Sequence, residues 1–291
     1  MPEIKYLKRM TTQPRLDTNI YRLQIPKINE KSIVEEAKRL NLTGNIKTAE
    51  VLKNPKELSY TEGPYVVTLY QKSGALRFYD STRWQMDDGT SHVTMSDDDA
   101  VEIAEKFIKK TQLVPMAECK LFKVTHLHVG VQERDSNKAE ERIIDTGVIF
   151  QRTLDKTPVE GPGGKVIVYI DSQGDVTGCD RIWRDLSVVY RKVPSNQLRP
   201  TRYAELNLAG YWRRADVKRI DVKETRFGYF EAGRSESQRY LQPTFIMPIT
   251  LMSADERIVM KSVHVVPAAQ RPVGSIMPRL KVVPEEPPRE E

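Results

Sequence analysis

Alternating apolar and polar positions recur along the chain, and two stretches of this kind read alike. In each, a β-rich run is followed by a polar turn with glycine, a second β-rich run, and an aspartate shortly before a tryptophan. The first stretch covers residues 65–84 and the second covers residues 165–183. Such alternation predicts β-hairpins, and the repetition predicts duplicated modules.

A helix is predicted ahead of each hairpin, because apolar residues recur there at three- and four-residue spacing. The first runs through residues 30–40 after Asn29, a natural N-cap. The second follows Ser96, and the aspartates beside this serine favour the positive end of a helix. A helix followed by an antiparallel meander predicts an α+β fold made of tandem modules, each with a helix packed on an antiparallel β-sheet.

The pattern divides the chain into three modules between two irregular ends. Residues 1–28 read as an N-terminal arm or an edge strand, and the prolines and charges of residues 269–291 predict a flexible tail. Between them we place a first α+β module at 29–90, a second at 91–190 and a third, looser module at 191–268.

Composition narrows the class of protein. The 291 residues are 39% hydrophobic and 30% charged with a net charge of +6, and basic residues alternate with acidic ones, so we expect no nucleic-acid partner. The sequence contains no apolar run that could span a bilayer, so membrane anchoring would need a segment absent from this chain. The N-terminus lacks an apolar signal region, which fits a cytoplasmic protein or one whose leader was removed.

No residue pattern predicts catalysis, and we expect no cofactor and no metal. His126 and His128 alternate on one strand without a third ligand at motif distance. The glycines of residues 161–164 lack the spacing of a phosphate-binding loop and lead into a strand. Cys119 and Cys179 have no nucleophile context, and we interpret both as free thiols while their pairing stays open.

The tryptophans and their neighbours are the candidate partner-binding residues. Trp84 and Trp183 close the two similar hairpins, which is typical of a core or sheet-face anchor. The alternative is a docking surface, since Trp, Tyr and Arg dominate binding hot spots. If the second hairpin lies at an exposed edge, a peptide strand could pair there. The candidate residues are Asp180, Arg181, Trp183, Arg184 and Tyr190.

The second module resembles the PepSY-like family, whose fold is of the cystatin type. The resemblance rests on the helix at 98–110, the run Gly147–Gly161, the strand Val166–Ile170 and the turn Gly174-Asp175-Val176, and it covers residues 96–186. PepSY-like modules occur in propeptides of thermolysin-type peptidases and in bacterial extracytoplasmic regulators that bind histidine-kinase ectodomains. The resemblance implies a non-catalytic module that binds a protein or peptide.

Three functional hypotheses follow from these observations. The first is a non-catalytic binding or regulatory protein of bacteria, outside the cytoplasm, that engages a protein partner through sheet edges and aromatic or arginine surfaces. The second is a structural or assembly subunit of a larger complex, and the third is an enzyme with an unrecognised site. The sequence identifies neither the partner nor the oligomeric state.

Overall fold

The structure is a computed structural model that describes residues 2–8, 16–89, 92–132, 139–212, 217–274 and 276. Strands account for 46% of the residues and helices for 17%. The described helices are α1 (Glu30–Arg39), α2 (Asp97–Thr111) and α3 (Thr201–Tyr211), with short 3-10 helices at Met116–Glu118 and Ser195–Gln197. The described strands are β1 (Glu3–Tyr6), β2 (Thr18–Leu23), β3 (Glu50–Lys53), β4 (Glu57–Glu62), β5 (Tyr65–Tyr70), β6 (Leu76–Asp80), β7 (Cys119–Gln132), β8 (Ala139–Leu154), β9 (Thr157–Glu160), β10 (Lys165–Asp171), β11 (Val176–Ile182), β12 (Leu186–Val193), β13 (Arg219–Val222), β14 (Arg226–Phe230), β15 (Tyr240–Leu241), β16 (Pro243–Met252) and β17 (Ile258–Pro267).

Fourteen of these strands form one mixed sheet. Its order is β1-β13-β16-β14-β9-β8-β10-β11-β6-β5-β4-β3, with β17 beside β16 and β7 beside β8. Most neighbours are antiparallel, whereas β1 with β13 and β9 with β14 are parallel. The remaining strands form a three-stranded sheet in the order β12-β2-β15. Both described strands of the predicted N-terminal arm therefore pair with strands from the C-terminal half of the chain, whereas residues 277–291 of the predicted tail lie outside the described residues.

The N-caps predicted for α1 and α2 are confirmed. Asn29 accepts a hydrogen bond from the Ser32 backbone N–H at 3.0 Å, and the Ser32 hydroxyl accepts one from the Asn29 N–H at 2.9 Å. Ser96 accepts from the Asp99 N–H at 3.1 Å. These bonds satisfy backbone donors that a helix start leaves free, so both helices begin where the sequence places them.

The predicted fold class, tandem modules that each have a helix on a separate antiparallel sheet, is wrong. Strand β6 of the first expected module pairs with β11 of the second over Leu76–Tyr79 and Gly178–Arg181. Strand β14 of the third expected unit pairs with β9. An unpaired strand edge leaves backbone N–H and C=O groups without partners. Here these groups are paired because strands of neighbouring expected units form hydrogen bonds with each other. The result is one sheet-dominated fold, not a row of modules.

Two main hydrophobic cores lie on this sheet. Helices α1 and α2 cover one of them together, so that Ile33 of α1 and Ala104 of α2 belong to the same cluster as Val168 of β10. Helix α3 covers the other, in which Leu208 packs with Phe245 of β16. Full burial of such side chains contributes about 1.5–3 kcal/mol each to the free energy of folding.

Trp84 lies on the sheet face opposite α1 and α2, because strand residues alternate between faces. Its ring packs against Tyr79 and Tyr169 with centroid distances of 5.1 and 5.7 Å. A Cβ atom at Gly178 would lie 3.0 Å from Trp84 Cδ1, so glycine gives the indole room to approach the strand. Trp183 lies with the buried core under the helices, so the two tryptophans occupy opposite faces.

Asp145 is a buried acid on the same face as Trp84. It lies opposite Asp171 in the register of β8 and β10 and is 2% exposed. Burial, and then the negative charge of Asp171, raises the pKa of Asp145 to about 7, although the Gln85 backbone N–H opposes the shift. The folded protein therefore retains a proton on Asp145 at pH values where the unfolded chain has lost it.

A buried ion-pair cluster joins the two halves of the large sheet. Glu231, which follows β14, accepts hydrogen bonds from the Arg184 backbone N–H at 3.0 Å and from Arg184 Nη1 at 3.2 Å. Arg152 of β8 lies 4.0 Å from the other carboxylate oxygen. Glu231 is fully buried, which raises its pKa above the ordinary value, and the two guanidinium groups act against that shift. Removing one partner of such a cluster leaves an uncompensated charge in the interior.

Replacing Glu231 by alanine is expected to lower the free energy of unfolding by about 3–5 kcal/mol, because the Arg184 charge would stay buried without its counter-charge. Urea unfolding followed by far-UV circular dichroism measures the change. Glu231→Gln, which keeps the shape, separates the lost charge from the lost volume, and the exposed Glu50→Ala serves as control. A loss below about 1 kcal/mol for Glu231→Ala, as for a surface pair, would contradict this assignment.

Asp145→Asn is expected to stabilise the protein increasingly as the pH rises from about 5 to 8. The folded-state pKa is above the unfolded value, so wild-type stability falls with rising pH wherever the unfolded chain has released the proton that the folded chain keeps, until the pH passes the folded-state pKa of about 7. One pKa unit corresponds to about 1.4 kcal/mol, which sets an upper limit of roughly 4 kcal/mol, and we expect a gain on the order of 2 kcal/mol at pH 8. Thermal unfolding of wild type, Asp145→Asn and the exposed control Asp185→Asn across this range measures it. A difference between Asp145→Asn and wild type that stays constant with pH would contradict the prediction.

Candidate functional site

Four of the five candidate partner-binding residues lie in the interior. Asp180, Arg181, Trp183 and Arg184 are each 9% exposed or less, whereas Tyr190 on β12 is 50% exposed. Strand β11 is flanked by β10 and β6, so it has no free edge. The condition for strand addition at this hairpin, an exposed edge, is therefore not met.

Asp180 and Arg184 each make several polar contacts with other parts of the chain. Arg77 binds Asp180 through two hydrogen bonds of 2.9 and 3.0 Å. Besides contacting Glu231, Arg184 donates hydrogen bonds to the carbonyl oxygens of Ala232, Gly233 and Glu236 at 2.7–2.9 Å. Because these contacts join strands distant in sequence, both residues hold the fold together from inside.

Arg181 joins three chain segments on the helix side of the sheet. Its Nη2 donates to Glu36 Oε1 of α1 at 3.0 Å and to the Gly74 carbonyl oxygen at 3.5 Å. Its Nη1 donates to the Leu113 carbonyl oxygen, just after α2, at 3.4 Å. One guanidinium thus fixes the position of α1 relative to the end of α2 and the β5–β6 turn.

Trp183, two residues after Arg181, lies on the same helix-covered side of the sheet as Arg181. The Arg152 guanidinium carbon lies 4.9 Å from the centroid of the indole ring, which is within the range of a cation–π contact. Arg152 also donates a hydrogen bond to the Arg184 carbonyl oxygen at 2.7 Å. The tryptophan is thereby linked to the Glu231 cluster.

Arg181 and Trp183 also line a groove, which we call the α1–α2 groove. It consists of two adjoining cavities of about 580 and 550 Å³. Each cavity alone is large enough for a small ligand or a few residues of a peptide. The residues that line both cavities are Glu36, Arg39, Arg181, Trp183 and Asp185.

The two ends of the groove are built from different segments. One end is formed by the last turn of α2 and the loop that follows it, through Met116. The other is formed by residues 24–28, which lead from β2 to α1. Gln112 adopts a left-handed conformation with φ of 50°, which ends α2 and turns the loop toward α1. Chain geometry at two helix boundaries therefore shapes the opening.

Charges of both signs surround the groove beside exposed apolar surface. Arg39 donates a hydrogen bond to the Gln112 carbonyl oxygen at 3.3 Å, and Lys109 pairs with Glu105 at 2.9 Å. Cationic side chains at the C-terminal ends of α1 and α2 complement the negative ends of the helix dipoles. Ile25, by contrast, is 68% exposed. Such a lining suits an amphipathic ligand.

Hydroxyl groups in the lining are used to hold local structure. The Ser32 hydroxyl donates to the Asn29 carbonyl oxygen at 2.7 Å within the cap of α1. The Ser73 hydroxyl donates to the Arg234 carbonyl oxygen at 2.7 Å. Among the described residues that line the two cavities there is no histidine and no cysteine, so neither serine has an imidazole beside it.

The histidines and cysteines lie elsewhere. His126 Nε2 is 3.1 Å from Asp97 at the start of α2, and His128 Nδ1 is 2.9 Å from Glu141. Within the described ranges no three such ligands are grouped for a metal. Both cysteines are free, with Cys179 in the core and Cys119 half-buried. No helix in those ranges has the length and apolar character needed to cross a bilayer.

Sequence reasoning identified the floor of the groove but not its walls. Glu36 was expected only as part of the helix at 30–40, and residues 24–28 as part of the N-terminal arm. The walls meet only because α1 and α2 lie side by side on one sheet, which is a tertiary arrangement. The usable local signal was Ile25, an apolar residue before a proline and outside any periodic element.

Comparisons with known proteins name no function. No family model matches the chain, and no curated protein matches it. Nine chains of solved structures do match. Among them is a crystal structure of an uncharacterized protein from Eubacterium rectale ATCC 33656, with 12% sequence identity and a TM-score of 0.49. That match covers 92% of this chain and 88% of the other.

Proposed function

We propose that this protein is a non-catalytic binding protein that holds a peptide segment of a protein partner in the α1–α2 groove. The observation that carries the proposal is that two adjoining cavities share five lining residues, among them Arg181 and Trp183. Two cavities side by side can accommodate an extended segment, whereas a single closed pocket would suit a compact small molecule.

The rigidity of the floor supports this function. Arg181 is hydrogen-bonded to α1, to the loop after α2 and to the β5–β6 turn, so the walls are preorganised. A preorganised site loses less conformational entropy when a ligand binds. The exposed apolar surface of Ile25 at one end and the partly buried Met116 at the other supply places for apolar side chains of a peptide.

The PepSY-like resemblance of residues 96–186 agrees with this proposal. Modules of that kind bind proteins or peptides without catalysis, and their usual setting in bacteria is outside the cytoplasm. We extend the proposal to such a location. The proposed location can be tested separately from peptide binding, because the chemistry of the groove does not depend on the cellular compartment.

An assembly role is the second candidate, and one observation favours it. Val188, Val189 and Tyr190 are consecutive on β12 and each is at least half exposed. Strand β12 is an edge of the three-stranded sheet. Clustered apolar side chains at an edge are typical of contact surfaces in larger assemblies.

Ile25→Asp is expected to weaken peptide binding by about tenfold, because it places a charge where the groove presents apolar surface. Peptides are first selected from a displayed random library with the wild-type protein. Their dissociation constants are then measured for wild type, Ile25→Asp and the control Leu206→Asp. Leu206 on α3 is 65% exposed and lies outside the groove, so it matches the 68% exposure of Ile25.

Amide chemical-shift mapping shows where the selected peptides bind. We expect the perturbed amides to cluster at residues 24–28 and 108–116, with little effect of Leu206→Asp on affinity. Two results would overturn the proposal. One is a library selection that yields no binders, and the other is a set of peptides whose affinity is the same for wild type and Ile25→Asp.

A further inference from the structure

Strand β7 presents a long unpaired edge. Its fourteen residues, Cys119–Gln132, pair with β8 along one side. Along the other side no strand of the described residues pairs with it. Exposed edges carry free N–H and C=O groups that can pair with another extended chain.

The charges on this edge have one sign. Strand β7 contains no aspartate or glutamate, whereas Lys120 and Lys123 are exposed near its start. Neither lysine has an ion-pair partner among the described residues. His126 and His128, farther along the strand, already have Asp97 and Glu141 as neighbours.

Apolar surface lies between the two lysines. Leu121 is 44% exposed and Phe122 is 48% exposed. The register with β8 shifts between Leu121 and Lys123, so Phe122 occupies a bulge. A Lys-Leu-Phe-Lys run on an edge thus combines backbone donors, apolar contacts and two free positive charges.

These features discriminate between possible occupants. The edge lysines oppose pairing with a second copy, since like charges would meet across the new strands. The same lysines would gain counter-charges from a strand that carries carboxylates. Charge complementarity therefore selects an acidic extended segment over a copy of this chain.

We propose that the free edge of β7 binds an extended, acidic segment of a partner protein by β-augmentation. The added strand pairs with the β7 backbone, its carboxylates contact Lys120 and Lys123, and its apolar side chains cover Leu121 and Phe122. This site is separate from the α1–α2 groove and does not depend on the function proposed for that groove.

The probe is a capped peptide of alternating glutamate and valine, tested on the full chain by fluorescence anisotropy. The comparison peptides are a version with lysine for glutamate and a fully N-methylated version, which keeps the charges but has no N–H donors. We expect binding of the acidic peptide to be at least about tenfold tighter than binding of either comparison peptide. Hydrogen exchange should slow at β7 amides when the acidic peptide is bound.

Protein variants test the charge requirement. Lys120→Glu/Lys123→Glu is expected to weaken binding of the acidic peptide by about tenfold or more and to favour the lysine peptide. The control is Lys47→Glu/Lys53→Glu, which reverses two exposed lysines near and on β3, at another end of the sheet. The control variant and Ile25→Asp should both bind the acidic peptide with the wild-type affinity. This result would separate the β7 site from the α1–α2 groove.

Three outcomes would overturn the proposal. Equal binding of the N-methylated peptide would indicate electrostatic adsorption without strand pairing. Exchange protection confined to other strands would place the site elsewhere. A solution mass that doubles with concentration in wild type and stays monomeric in Lys120→Glu/Lys123→Glu would assign the edge to a second copy.

Discussion

The fold depends on a single buried carboxylate, that of Glu231, held between two arginines from distant parts of the sheet. Arg152 comes from β8 and Arg184 follows β11, while Glu231 follows β14. Taking these charges out of water is costly unless each retains its partners. Because Glu231 follows β14 while Arg152 lies on β8, which pairs with β9, the cluster ties the C-terminal strands to the rest of the sheet.

Close backbone packing surrounds this cluster. A Cβ atom at Gly163 would lie 2.6 Å from Glu231 Cγ, and one at Gly161 would lie 2.6 Å from the Glu231 carbonyl oxygen. The glycine-rich bend, which superficially resembles a phosphate loop, is instead the segment that folds over the buried acid. The Gly163 backbone N–H donates a hydrogen bond to the Glu231 carbonyl oxygen at 3.0 Å. Gly161 and Gly163 are required by proximity to Glu231, and Gly164 by proximity to Val159, so no ligand is needed to explain them.

Local features of the structure could be predicted from the sequence, and nonlocal ones could not. The caps at Asn29 and Ser96 depend on neighbouring residues, so both helix starts were predicted correctly. The fold class was wrong because the β6–β11 and β9–β14 pairings join residues far apart in the chain. Arg181 was a candidate for docking on condition that its hairpin lay at an exposed edge, and its burial could not be predicted because its counter-charge, Glu36, is 145 residues away. Its place in the groove floor followed from that unpredicted contact.

We infer that the Glu231 cluster makes the two halves of the sheet one cooperative unit. Native-state hydrogen exchange in increasing denaturant tests this most directly, by comparing the Val168 amide of β10 with the Phe245 amide of β16. We expect the same opening free energy and the same denaturant dependence for the Val168 and Phe245 amides. A β16 that opens at lower free energy, while β10 stays protected, would contradict it.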